Sequence, residues 1–319
     1  MRQVVFLDSA TIGDGINIPS PIFAHKWTNF DKTNASQTLM RAQNADLIIT
    51  NKVVFNKALL SQLPRLKHIA IAATGSNCVD LLAARAFGID VSNVPGYATR
   101  SASEHVMSMI LSLRRNLLAF QTDIAAGKWQ ASEQFCFYND PILDLYGSTL
   151  GLIGTGAIAQ QVAYVAKAFG MRVIFHSVSG RKTLEEEELV SLNYLLENSD
   201  IVSLHCPLTS ATKNLINAQR LELMRHSALL INTARGSVVD LEALHHALLN
   251  KKIAGAGIDV APQEPPPSDS IVMQLNTLLN CVVTPHTAWA SQHASQLLVD
   301  QVVANLNAFV TGQSINIVN

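Results

Sequence analysis

Residues 149–175 constrain the fold more than any other stretch of this 319-residue chain. Leu150–Ile153 is an apolar run of strand length, and Gly154, Gly156 and Ala159 follow it in G-x-G-x-x-G/A spacing. Small residues at those places permit a tight turn and let a backbone approach a pyrophosphate at a helix N-terminus. A helical pattern then runs from Ile158 to Phe169, Gly170 ends it, and Arg172–Phe175 reads as a second apolar strand. The glycine spacing alone is a weak signal. Strand, turn, helix and strand within about 30 residues together predict a dinucleotide-binding βαβ unit.

The same alternation of strands and helices runs through the whole chain. One group of strands is expected at Val4–Leu7, Leu47–Thr50, His68–Ala72 and Asp90–Asn93. A second is expected at Leu150–Ile153, Arg172–Phe175, Ile201–Leu204, Ala228–Asn232, Gly255–Asp259 and Val282–Thr284. Strands alternating with helices imply parallel sheets. The expected fold is therefore α/β, with two doubly wound parallel-sheet domains. Residues 101–289 form a Rossmann nucleotide-binding domain, inserted into a substrate domain made of 1–100 and 290–319. The apolar helix Ser101–Arg115 joins the two groups, and a helical stretch over Ala290–Ala308 returns to the first.

Composition narrows the function. Apolar residues are 48% and charged ones 15%, as in a well-buried enzyme rather than a disordered chain. The net charge is −1 without a basic block, which argues against nucleic acid as a partner. No run reaches the roughly 18 apolar residues of a membrane span, and the N-terminus enters a strand directly, without a signal-peptide pattern. Cys78, Cys136, Cys206 and Cys281 are scattered. That spacing reads as reduced thiols in a cytoplasmic protein, not as a disulfide framework or a metal site.

Three segments carry the chemistry. Ile231–Gly236 supplies Arg235, Asp259–Glu264 supplies Glu264, and Thr284–Trp289 supplies His286. This is the set needed to reduce a 2-oxo acid with a nicotinamide. Arginine holds a carboxylate with a planar fork of donors. Histidine protonates the carbonyl oxygen as hydride reaches the carbon, and a glutamate beside it favours the charged imidazolium. Arg235 and His286 each follow a strand, and in a doubly wound sheet the strand C-termini line the ligand crevice. Taken singly, Glu264 would be an ordinary solvated loop residue and His286 one of ten histidines. Lys52 reads as a solvated strand end and Trp289 as core.

The chain resembles the D-isomer-specific 2-hydroxyacid dehydrogenase family over nearly its whole length. The resemblance rests on Ala73–Asp80, Asn93-Val-Pro95, Ser103-Glu-His105, Gly154-Thr-Gly156, Asp200–Pro207, Asn232–Gly236, Asp259–Glu264 and Pro285-His286. Gly127-Lys-Trp-Gln130, Phe135-Cys-Phe137 and His286–Ser291 are similar to the glycerate dehydrogenase and hydroxypyruvate reductase branch. The resemblance implies reduction of hydroxypyruvate to D-glycerate and of glyoxylate to glycolate. It assigns catalysis to Arg235, Glu264 and His286, and substrate carboxylate binding to the backbone of Thr74, Gly75 and Ser76 opposite Arg235. It sets Gly156, Ala157 and Ile158 against the pyrophosphate, and Cys206, Pro207, Thr233 and Ala234 against the nicotinamide. Asp259 is expected to meet the carboxamide or its ribose. Alternatives are a dehydrogenase for another small 2-hydroxy acid or for phosphite, and a non-catalytic, nucleotide-sensing protein like the corepressors that share this fold.

Two further expectations come from the residues. NAD-specific enzymes commonly carry Asp or Glu about 20 residues after the glycines, where it binds ribose hydroxyls. Here Ser177 holds that place, with Arg181 and Lys182 just beyond, so NADP(H) is expected ahead of NAD(H). The helix Ser101–Arg115 carries more apolar residues than one face needs, and Trp129 and Phe135–Phe137 add to them. A two-fold homodimer is expected to cover this surface.

Overall fold

A computed structural model describes residues 1–138, 140–180 and 187–319. The chain divides into two compact units, Met1–Ala98 with Ala290–Asn319, and Thr99–Trp289.

In the first unit the described strands are β1 (Arg2–Phe6), β2 (His25–Asn29), β3 (Leu47–Thr50), β4 (His68–Ile71) and β5 (Asp90–Ser92). They form a parallel sheet in the order β2-β1-β3-β4-β5. β3 and β4 are buried at every residue, the pattern of interior strands with both faces covered. β2 has no counterpart among the strands expected from sequence. Its His-Lys-Trp-Thr-Asn segment has no apolar run, and as an edge strand with no residue fully buried it needs none. The long helix Gln292–Val310 belongs to this unit and packs on β4. There Phe309 stacks on His68 with ring centroids 4.6 Å apart, and Asn305 Nδ2 donates to the carbonyl of Asn93.

The second unit contains β6 (Thr149–Ile153), β7 (Arg172–His176), β8 (Ile201–Leu204), β9 (Leu229–Asn232), β10 (Gly255–Ile258) and β11 (Cys281–Val283). All pair in parallel, in the order β11-β10-β9-β8-β6-β7. The chain passes from β6 outward to β7, then returns to the other side of β6 as β8. That reversal opens a crevice at the C-terminal ends of β6 and β8. Apolar clusters fill both faces of the sheet. One is built around Leu195, Leu196, Leu244 and Leu248, the other around Val106, Ile110, Val162 and Ala166. Each large side chain so buried contributes roughly 1.5–3 kcal/mol.

The helix Thr99–Arg114 corrects one step of the sequence argument. Its Val106, Met107, Met109 and Ile110 are buried within its own unit, and Leu111 and Leu113 pack against the same cluster. It lies between the helix Ala157–Ala168 and strands β9, β10 and β11, so a second subunit is not needed to cover it. The exposed apolar surface lies further along, at Leu117, Leu118, Trp129, Phe135 and Tyr138. Among the described residues no helix is long and apolar enough to cross a membrane.

Candidate active site

The turn after β6 is built for close approach. Gly154 has φ +116°, and a Cβ there would lie 2.4 Å from the carbonyl oxygen of His205, just past β8. Only glycine lets β6 and β8 come together at the reversal point. Gly156 caps the helix Ala157–Ala168 without any side-chain cap, and a Cβ on it would meet nothing within 4 Å. Gly156 and Ala157 are exposed and Ile158 is half-buried. Open backbone N–H groups at a helix start, beside a glycine that leaves room, fit the pyrophosphate of a dinucleotide.

The next two strand ends place the remaining cofactor candidates. Cys206 is buried, and burial pushes its thiol up to about 11, so it stays uncharged. Pro207 is exposed beside it. Thr233 is half-buried and Ala234 buried at the end of β9. Ser177 follows β7 directly, next to His176, whose carbonyl accepts from Gly154 N–H at 2.9 Å. Arg181 and Lys182 lie outside the described residues.

Arg235, Glu264 and His286 issue from one edge of the sheet. Asn232 of β9 pairs with Ile258 of β10, which pairs with Val283 of β11. Three residues past Asn232 comes Arg235, six past Ile258 Glu264, and three past Val283 His286. Asn232 shapes the first of these loops. Its Nδ2 donates to the carbonyl of Arg235 at 3.0 Å, and its Oδ1 accepts from Ala234 N–H at 3.1 Å. Arg235 Nη1 donates to the carbonyl of Ala234 at 2.6 Å, which leaves most of the guanidinium's five donors for other partners.

Glu264 and His286 form a close pair, with His286 Nδ1 2.6 Å from Glu264 Oε2. Glu264 is itself held, because its Oε1 accepts from Ala261 N–H at 2.9 Å. The histidine side chain is 26% exposed and the glutamate 35%, so the pair is open enough to meet a substrate. No described residue bonds His286 Nε2 among the hydrogen bonds seen.

Asp259 follows β10 directly. Its side chain is wholly buried. Its oxygens accept from Thr287 N–H at 2.9 Å and Ala288 N–H at 3.1 Å, and its carbonyl accepts from His286 N–H at 2.7 Å. The visible effect of this carboxylate is to bend the loop that carries His286. In the first unit Thr74, Gly75 and Ser76 follow β4. Thr74 Oγ1 donates to the carbonyl of Val94 and its own carbonyl accepts from Asn93 Nδ2, so the turn is braced by its neighbours. Asn232 and Ala261 were not singled out as site residues from sequence. Asn232 lies within the motif that carries Arg235, but Ala261 acts through its backbone, which no residue-type pattern reveals.

Among the described residues no cluster of His, Cys, Asp and Glu could hold a metal ion. Residues 107–288 match the model of the D-isomer specific 2-hydroxyacid dehydrogenase, NAD binding domain. A putative 2-hydroxyacid dehydrogenase of Haemophilus influenzae is 44% identical over 309 residues, covering 97% of this chain and 98% of that protein. A glycerate dehydrogenase of Methylorubrum extorquens is 42% identical over 318 residues, with 99% of each chain covered. Among solved structures, D-lactate dehydrogenase from Aquifex aeolicus, complexed with NAD and lactic acid, superposes with a TM-score of 0.79 at 31% identity, over 97% of this chain and 96% of that one.

Proposed function

Since the chain belongs to the D-isomer specific 2-hydroxyacid dehydrogenase family, we propose that it reduces hydroxypyruvate to D-glycerate and glyoxylate to glycolate, using NADPH in preference to NADH. The observation that carries this reading is the 2.6 Å contact between His286 Nδ1 and a Glu264 whose other oxygen is already fixed. It is a proton donor with its charge stabiliser in place.

When bound, the reduced nicotinamide supplies a hydride to the carbonyl carbon. The residues of this chain do the rest. Gly156, Ala157 and Ile158 hold the pyrophosphate at the helix start. Arg235 grips the substrate carboxylate with two parallel N–H bonds, and backbone N–H groups of Gly75 and Ser76 are assigned to it as well. His286 gives its Nε2 proton to the carbonyl oxygen, because Nδ1 is held by Glu264. The alkoxide charge is neutralised as it forms, and the imidazolium becomes neutral imidazole. Glu264 keeps its charge throughout, as the group that orients and stabilises the imidazolium.

Preference for the phosphorylated cofactor rests on Ser177. No carboxylate stands at that position, and two acids among the described residues that follow are paired. Glu187 pairs with Lys167 at 2.6 Å and Glu188 with Arg172 at 2.7 Å. Arg181 and Lys182 are assigned to the 2′-phosphate from sequence alone. We also assign a two-fold homodimer, supported by exposed Leu117, Trp129 and Phe135, and a cytoplasmic location, supported by four unpaired cysteines. Steady-state assays of small 2-oxo acids with NADPH and NADH in parallel test the activity. Turnover of hydroxypyruvate is expected, and binding of nucleotide without turnover of any 2-oxo acid would favour a sensing role instead. Light scattering at micromolar concentration tests the dimer.

A further inference from the structure

Behind His286, three side chains from separate segments of the second unit meet. Thr284 Oγ1 donates to Asp259 Oδ1 at 2.6 Å. His105, on the helix Thr99–Arg114, brings Nε2 to 3.0 Å from the same hydroxyl and 3.5 Å from Asp259 Oδ1. One helical turn earlier Ser101 Oγ donates to the carbonyl of Ala288 at 2.8 Å. Residues four apart share a helix face. That face therefore holds the loop on both sides of His286, at Thr284 and at Ala288.

The loop has reason to need holding. His286 has φ +56°, in the left-handed region that costs a residue with a side chain roughly 1–2 kcal/mol. Its N–H is directed at the carbonyls of Asp259 (2.7 Å) and Thr284 (3.0 Å). If Thr284 or Asp259 shifts, the ring of His286 leaves Glu264.

Proton accounting fixes the direction of each bond. The Asp259 carboxylate accepts two backbone N–H groups and the Thr284 hydroxyl, the pattern of an ionised acid. A hydroxyl has one proton, and Thr284 has committed it to Asp259. Thr284 can then only accept from His105, so His105 carries a proton on Nε2.

We propose that His105, acting through Thr284 and Asp259, is a positioning residue for the proton donor: it holds the 284–288 loop in the conformation in which His286 reaches Glu264. The proposal rests on His286 being the proton donor of the reaction assigned above. It adds a residue 179 positions from Thr284 in sequence, and one that touches neither His286 nor Glu264 in the contacts seen.

Four variants of the full chain test it. H105F keeps a planar ring and loses the donor; H105Q returns an N–H near the place of Nε2. T284V removes the hydroxyl and T284S keeps it. Steady-state constants with hydroxypyruvate and NADPH are measured, together with the ¹H–¹³C NMR signal of the His286 ring, identified by its loss in H286A. H105F and T284V are expected to lower kcat about tenfold, with KM for NADPH within about threefold, because a displaced donor slows chemistry more than binding. Both should shift or broaden the His286 signal. H105Q and T284S should stay close to the parent in both readouts. Parental kcat and an unmoved His286 signal in H105F and T284V would overturn the proposal. So would H105Q falling as far as H105F, since the shape of the ring and not its donor would then matter. The H105F and H105Q pair decides the question even where T284V fails to fold. A parent that turns over no 2-oxo acid would remove the assigned reaction, while the NMR signal would still decide whether His105 positions the loop.

Discussion

Gly236 lies so close to Ala261 that a methyl group on it would sit 2.1 Å from the Ala261 carbonyl carbon. The neighbour is backbone, which cannot rotate away as a side chain does. Gly236 follows Arg235, and Ala261 is the residue whose N–H holds Glu264, so this one contact sets the spacing of the loops that carry Arg235 and Glu264. Gly236→Ala should cost about 1–3 kcal/mol of stability by overpacking. It should lower kcat/KM by about a hundredfold, because both loops move. Urea denaturation and steady-state kinetics on the purified variant measure the two effects separately.

His286→Ala should lower kcat by about 10²–10⁴ while nucleotide affinity, read by fluorescence titration, stays near the parent value. Glu264→Gln should show a different signature. The carboxylate 2.6 Å from Nδ1 orients the ring with a charge-assisted bond, and a neutral amide holds it less tightly. kcat should fall about tenfold, less than in His286→Ala because the proton donor itself remains, with nucleotide affinity near the parent value. An unchanged kcat would show that the pair does not act together.

Arg235→Lys keeps the charge and loses the planar fork. KM for the oxo acid should rise at least about tenfold, with kcat falling too as the carbonyl drifts from its donor. Assays across a range of hydroxypyruvate concentrations read both constants.

Ser177→Asp should turn the cofactor preference. A carboxylate facing a 2′-phosphate is repelled by it, and it offers acceptors to free ribose hydroxyls. Each charge-assisted bond lost to the phosphate is worth roughly 1.5–3 kcal/mol, or tenfold and more in preference. The ratio of kcat/KM for NADPH and NADH, compared between parent and variant, measures the shift.

His68 makes the first unit sensitive to acid. It is wholly buried, it stacks on Phe309, and among the described residues its Nδ1 has no hydrogen-bond partner. Burial pushes it from 6.5 down to about 4. The unfolded chain takes up a proton below about 6.5, while the folded chain resists until about 4. Stability should therefore fall as pH drops through that window and level off below it. Between pH 7 and 4.5 this one group should account for about 2–3 kcal/mol. His68→Phe, which keeps the stacking and cannot titrate, should show a correspondingly smaller fall in its urea midpoints over the same range.

How much of this was legible in the sequence depends on the distance between partners. Leu47–Thr50 and Ile201–Leu204 are strands over their expected spans, because interior parallel strands are written as mostly apolar runs. The edge strand His25–Asn29 carries no such run and gave no signal. The pairing of His286 with Glu264 could be anticipated, since both residue types stand in strand-end loops. The bonds from His105 to Thr284 and from Ser101 to Ala288 join segments far apart in the chain, and no local pattern pairs them, although Ser103-Glu-His105 stands among the family motifs. The apolar excess on the helix Thr99–Arg114 was visible, but only packing shows that its own sheet and a neighbouring helix take it up.

The start of the helix Ala157–Ala168 has a further consequence. Most of the helices described here begin with an Asn, Asp or Ser whose oxygen closes the first turn, as Asn34, Asp80, Asp240 and Ser291 do. This one begins at Gly156, which has no side chain to do so. With the pyrophosphate assigned to this turn as proposed above, the nucleotide would complete the helix from outside the polypeptide, as its end-piece as much as its cargo. Amide hydrogens at 157–159 should exchange slowly with solvent in the loaded protein and quickly without nucleotide, which makes the first turn of this helix a built-in reporter of occupancy.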